Sequence, residues 1–201
     1  MAPNEFIPAA ERYGSIANID CWVIETFFSI YHKLAAKKII SKGLYAINLS
    51  GDSIGNNGFI RFLIEQFSRY QIPPQTICFE ITETAAIANF EQARYFMSEL
   101  KKMGCCFALD DFGRGLSSFA YLMNLPVDYL KIDGALVKNI SHNLIFQALV
   151  EGFNRIAHAM NLETIAEFVE DETILEKLRE MGVDYAQGYG IAHPVPINFN
   201  R

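Results

Sequence analysis

C-F-A-L-D-D, residues 106–111, decides how this chain is read. A short apolar run ends in two adjacent carboxylates. Gly104 precedes it and Gly113 follows it, so the run is too short for a helix and reads as a buried strand. Working outward, the same design recurs. The pattern predicts strands over 44–50, 76–82, 106–111, 129–133, 163–168 and 185–188. Each is apolar until its end, where something polar appears.

Helical periods lie between these runs. A short helix containing Pro8 is expected over 6–13. Ile16, Ile19, Val23, Phe27, Ile30 and Leu34 follow at the spacing of one helix face. Phe59, Phe62, Leu63 and Phe67 mark a second helix near 59–70. A third runs over 90–103, with Asn89 and Gln92 expected as a capping pair and Gly104 as its stop. A short helix is expected near 118–125 and a long one over 143–160, with Ile145, Leu149, Gly152 and Ile156 facing inward. The last spans 172–181 and stops at Gly182. Strands alternating with helices predict an α/β fold with a parallel sheet. No linker or low-complexity stretch divides the chain, so residues 1–201 read as a single domain.

In α/β folds, functional sites are built at the C-terminal ends of the strands. Here those ends carry Asn48, then Glu80 and Glu83, then Asp110 and Asp111. Lys131 and Asp133 follow, then Glu167 and Glu170, and finally Gln187. Taken singly, each is an ordinary cap, turn former or surface residue. Taken together, they place several carboxylates at one mouth, where like charges about 4 Å apart cost roughly 1–4 kcal/mol per pair. Oxygen ligands of this kind suit Mg²⁺, Mn²⁺ or Ca²⁺. The pattern therefore predicts one or two hard cations.

Composition narrows the function classes. A net charge of −6 argues against a general binder of polymeric nucleic acid. The longest apolar runs, 105–109 and 119–123, fall far short of the roughly 20 residues a membrane span needs. The four cysteines, Cys21, Cys78, Cys105 and Cys106, form no C-x-x-C pair and read as buried thiols of a reducing, cytoplasmic setting. D-F-G at 111–113 stands without the other protein-kinase signatures, which excludes that class.

Several segments carry a family resemblance. They are E-F-I-P-A-A-E-R at 5–12, I-N-L-S at 47–50, F-E-I-T-E at 79–83 and D-D-F-G at 110–113. L-P-V-D-Y-L-K-I-D at 125–133, A-E-F-V-E at 166–170 and Q-G-Y at 187–189 complete the set. Their order and spacing resemble the EAL domain family, the bacterial phosphodiesterases of cyclic di-GMP. The resemblance implies a modified TIM barrel. It implies a metal-binding set of Asn48, Glu80, Asp110, Asp111 and Glu167, holding two Mg²⁺ or Mn²⁺ ions. Lys131 and Glu167 are the implied catalytic residues, with Lys131 positioning the attacking water. Glu83, Glu170 and Gln187 have substrate or supporting roles, and the loop 112–118 bears on metal binding and dimerisation. The implied reaction opens cyclic di-GMP to linear pGpG. The implied partners are cyclic di-GMP, a second copy of the chain, and GGDEF or sensor domains in a longer parent protein. A non-catalytic cyclic di-GMP receptor or protein-interaction module is the alternative.

The chain departs from the family pattern in places. The Glu-Ala-Leu motif, with its metal-binding glutamate, has no counterpart in these residues, so activity is expected to be low. Phe168 stands where the motif usually has glycine, and Arg114 and Leu116 replace the more usual threonine and tyrosine. A complete eightfold barrel takes about 250 residues. With 201 residues the chain is expected to be an incomplete barrel of about six strands, lacking the first two.

Overall fold

The computed structural model describes residues 3–37, 43–115 and 119–195. The part of the expected functional loop at 116–118 lies outside the described residues. The chain divides into two compact units, residues 1–107 and 108–201.

In the first unit, α1 (Pro3–Arg12) and α2 (Ile16–Ala36) precede β1 (Tyr45–Leu49). The short α3 (Gly51–Ile54) and α4 (Asn57–Tyr70) follow, and a 3₁₀ turn at Pro74–Thr76 leads into β2 (Ile77–Thr82). Then come α5 (Glu83–Ala88) and α6 (Phe90–Met103). β1 and β2 pair in parallel, with Asn48 opposite Glu80. β2 is buried at nearly every position, as a sheet covered on both faces requires. The core is aromatic: Phe28 packs on Phe67, Phe67 on Phe79, and Phe107 on both Phe79 and Phe96. Each such ring, fully buried, contributes roughly 1.5–3 kcal/mol.

The expected stripe of α2 is met in part: Ile16 is buried and Ile19, Phe27, Ile30 and Leu34 are half-buried, but the most buried line is rotated from it. Ile16, Asp20, Ile24, Phe28 and Tyr31 point into the core, whereas Trp22 and Val23 are exposed. The buried stripe contains a carboxylate, which a count of apolar residues passes over. Asp20 Oδ2 accepts from Ser50 N–H at 2.9 Å, Ser50 Oγ at 2.6 Å and Ser53 Oγ at 2.7 Å. The carboxylate thus ties α2 to the chain two residues beyond Asn48. Asn89 precedes α6 but makes no side-chain capping bond, so the expected pair with Gln92 does not form.

In the second unit, β3 (Cys106–Phe112, from Ala108 onward), α7 (Phe119–Leu122) and β4 (Tyr129–Ile132) come first. They are followed by α8 (Gly134–Val137), α9 (Leu144–Ala159), β5 (Glu163–Ala166), α10 (Glu172–Glu180) and β6 (Tyr185–Ala186). β3 pairs with β4, β4 with β5 and β5 with β6, all parallel. Ile132, Val137, Val150, Ala166, Val169 and Leu178 form its apolar core.

α9 also turns another face inward. Val150, Asn154 and Ala157 are buried, while Ile145 is 70% exposed and Leu149 and Ile156 remain partly in solvent. Again a polar residue sits in the buried stripe. Asn154 donates to the Met181 carbonyl at 2.9 Å and accepts from Thr164 Oγ1 at 2.6 Å. β5 and β6 end two residues earlier than expected. Phe168 has φ +53°, which breaks the extended path of β5 at a cost of about 1–3 kcal/mol.

Candidate active site

β3 does not pair evenly with β4. Leu109 pairs with Leu130 and Phe112 with Ile132, so Asp110 and Asp111 together oppose Lys131. This is a β-bulge, and Asp111 occupies it at φ +57°. In a regular strand, adjacent residues point to opposite faces. The bulge cancels that alternation. One carboxylate oxygen each from Asp110, Asp111 and Glu167 lies within 4.8 Å of the others. Glu167 follows directly after β5, fixed by its N–H donating to the Ile132 carbonyl at 3.2 Å.

Lys131 stands among these acids. Its Nζ is 3.0 Å from Asp110 Oδ1 and 2.9 Å from Glu167 Oε1, and the residue is only 2% exposed. A buried ammonium of this kind persists because it is paired. Asp110 Oδ1 also accepts from the Asp111 N–H at 2.9 Å. Arg114 Nη1, 3.6 Å from Asp111 Oδ2, adds a second, more exposed cation, and the two do not balance three carboxylates. Burial pushes the Glu167 carboxyl up to about 7, Asp110 and Asp111 push the same way, and Lys131 opposes them. Asp111 is likewise raised, first by burial and then by the charges of Asp110 and Asp133, against the pull of Arg114. Asp133 caps α8 by accepting from the Ala135 N–H at 2.8 Å. The hard oxygen donors, their closeness and their unmet negative charge fit a divalent cation.

The remaining predicted residues fall in two places. Glu170 and Gln187 join Glu167 around a cavity of about 440 Å³, together with Lys138, Phe168, Gly188 and Tyr189. Gly188 is required there, because a β-carbon would collide with the Val169 backbone. Val169 N–H donates to the Gln187 carbonyl at 3.0 Å, which locks the two segments together. Within the first unit, Asn48 is exposed at the end of β1 and lines a cavity of about 580 Å³. Its register partner Glu80 is buried, as is Glu83, the first residue of α5. The aromatic and cationic groups Phe168 and Lys138 were not anticipated as site residues. The one signal for Phe168 was its place in a motif that usually carries glycine.

The EAL domain family matches residues 1–194. The chain belongs to this family. The EAL domain is 44% identical over 200 residues to the cyclic di-GMP phosphodiesterase PdeB of Shewanella oneidensis, covering 98% of this chain and 23% of that protein. It is 37% identical to the cyclic di-GMP phosphodiesterase PdeA of Borreliella burgdorferi, over 96% of this chain and 29% of the other. The chain thus spans about a quarter of the length of these relatives. Among solved structures, the PaMucR phosphodiesterase in complex with c-di-GMP matches with a TM-score of 0.91 and 29% identity, covering 98% of this chain and 79% of that one. The FimX EAL domain from Pseudomonas aeruginosa bound to c-di-GMP matches with a TM-score of 0.88 and 28% identity, over 96% and 77%. These likenesses show the α/β, TIM-barrel-like fold expected from the sequence. Among the described residues, no helix is long and apolar enough to cross a membrane.

Proposed function

We propose that this EAL domain hydrolyses one phosphodiester bond of cyclic di-GMP to give linear pGpG. The observation that carries this reading is the Lys131 ammonium held at 3.0 and 2.9 Å between two carboxylates, beside a third. Asp110, Asp111 and Glu167, with Asn48 and Glu80 from the first unit, are the residues we assign to Mg²⁺ or Mn²⁺. A divalent cation there would supply Lewis-acid chemistry: charge neutralisation on the phosphoryl oxygens and a lowered pKa for water.

The chain's own residues supply the rest. Glu167 takes a proton from the attacking water. Lys131 fixes the orientation of Glu167 and Asp110 and keeps a positive charge near the phosphate. Water oxygen bonds to phosphorus, the bond to the ribose 3′ oxygen breaks, and that oxygen leaves as a hydroxyl by taking a proton from solvent, to which Glu167 returns the one it took. Glu83, Glu170 and Gln187 support the loops and the ligand. We read the 201 residues as one domain that works in the cytoplasm as a homodimer, within longer proteins carrying GGDEF or sensor domains.

The test is pGpG formation from cyclic di-GMP with Mg²⁺ or Mn²⁺, measured on the chain and on Glu167→Gln. Slow, cation-dependent formation by the chain and none by the variant is expected. Equal formation by both would overturn the assignment, and no binding of cyclic di-GMP would overturn the function.

A further inference from the structure

Asp20 is 8% exposed and sits in the buried stripe of α2 between Ile16 and Ile24. Three donors converge on one of its oxygens, Oδ2, and all of them belong to residues 50–53. That stretch joins β1 to α3. Ser50 is the N-cap of α3, its Oγ accepting from the Ser53 N–H at 3.3 Å. α3 is a single turn, Gly51–Ile54, and one turn makes too few internal bonds to hold its own place. Its position comes from its neighbours. Asp20 grips it through Ser50 and Ser53, and α5 presses on it at Gly51, where a β-carbon would stand 3.4 Å from that of Ala85.

Stability alone does not call for a carboxylate at this place. Burying one is costly, and an apolar side chain of similar volume often serves a buried position as well or better. What the carboxylate adds is direction, because hydrogen bonds to a charged oxygen are strong and depend on angle. The residue whose place depends on that direction is near in sequence. Asn48 stands two residues before Ser50, opposite Glu80 in the register of β1 and β2. Among the described strands β1 pairs with β2 alone, so its C-terminal end is held from one side. The bonds to Asp20 secure the chain just beyond it. Asp20 and Asn48 also line the same cavity, together with Ser50 and Asp52.

We propose that Asp20 is a positioning residue for Asn48: it fixes the turn after β1 and, through that turn, the place of the Asn48 amide. This rests on the assignment of Asn48 to the divalent cation. Asp20 acts through Ser50 and Ser53, not by contact with cation or substrate. A chain without the Asp20 carboxylate keeps Asn48 and its strand but lets the amide wander, and cation affinity falls.

The experiment is calorimetric titration of Mn²⁺ into the chain and into Asp20→Ala, Asp20→Asn, Ser53→Ala, Asn48→Ala and the double variant Asp20→Ala/Asn48→Ala, with thermal melts to establish that each is folded. Asp20→Ala is expected to weaken Mn²⁺ binding about 10- to 100-fold, the usual cost of losing a residue that orients a metal ligand. Asp20→Asn keeps an acceptor of the same shape and recovers part of that loss. Ser53→Ala removes one donor and gives a smaller loss. The double variant binds no more weakly than Asn48→Ala, since Asp20 then has nothing left to position. Unchanged affinity in Asp20→Ala, or losses that simply add in the double variant, would overturn the proposal and leave Asn48 as a cation residue. Unchanged affinity in Asn48→Ala, or no binding of Mn²⁺ by the chain, would overturn the proposal together with that assignment. If Asp20→Ala does not fold, Ser53→Ala decides: a lowered melting temperature with unchanged Mn²⁺ affinity shows a merely structural contact and overturns the proposal.

Discussion

The two ends of β5 carry polar clusters of opposite design. Beyond its C-terminal end, Glu167 meets Asp110, Asp111 and Lys131, and the acids outnumber the cations Lys131 and Arg114. Near its N-terminal end, Asp184 Oδ2 accepts from the Thr164 N–H at 2.7 Å and Thr164 Oγ1 at 3.0 Å, and pairs with His158 Nε2 at 2.8 Å. Asn154 extends that network to the Met181 carbonyl. Although burial opposes it, the donors around Asp184 hold its carboxyl below the usual range. Glu167 is pushed the other way, up to about 7. One end is a satisfied network that joins α9, β5 and the turn before β6. The other keeps more acids than cations, which suits a divalent cation. The contrast runs in the direction of the general rule for βα folds, in which sites are built at the C-terminal ends of strands.

Four experiments bear on this contrast. The largest effect belongs to turnover. Lys131→Met should lower pGpG formation by about 100- to 10,000-fold, whereas Asp184→Asn should leave it within a few-fold. Comparable losses from both would erase the distinction. Next is stability without added metal. Lys131→Met leaves buried carboxylates without their cation and should cost about 3–5 kcal/mol in urea unfolding near pH 8.

The other end predicts a smaller loss. Asp184→Ala removes charge-assisted hydrogen bonds and should cost roughly 1–3 kcal/mol. The depressed carboxyl stabilises the fold above its unfolded value near 3.8, and that contribution disappears as pH falls through the lower folded value. The gap between parent and Asp184→Ala should therefore close in acid.

The last effect has the opposite sign. Glu167 titrates at about 7 in the fold, against 4.5 for an ordinary glutamate. Its contribution is complete below about 4.5 and is lost as pH rises through about 7. Thermal melts of the metal-free chain should fall between pH 5 and pH 8, and Mn²⁺ should reverse the fall at pH 8. A flat profile, insensitive to Mn²⁺, would show that the acids are already balanced.

Much of this contrast was legible in the chain. Apolar runs ending in polar residues placed every strand, and D-D at 110–111 with Lys131 and Glu167 marked the charged cluster. The bulge was not legible, because two adjacent aspartates read as alternating faces until a register shift brings them together. The buried face of α9 differs from the expected one, and that of α2 in part, for a shared reason. Asp20 and Asn154 lie inside those faces, made acceptable by partners that are distant in sequence. Periodicity counts apolar residues and does not see a satisfied polar one. The satisfied end of β5 went unnoticed on the same ground: His158, Thr164 and Asp184 are unremarkable until the fold joins them.

The most direct measurement is calorimetric titration of Mn²⁺ into the chain at pH 7, in buffers of different ionisation enthalpy. If Glu167 is a ligand held near 7 by uncompensated charge, binding should release a fraction of a proton, and Glu167→Gln should bind more weakly and release none. Binding without proton release, or with the same affinity and release in Glu167→Gln, would contradict the account of this cluster as a cation site.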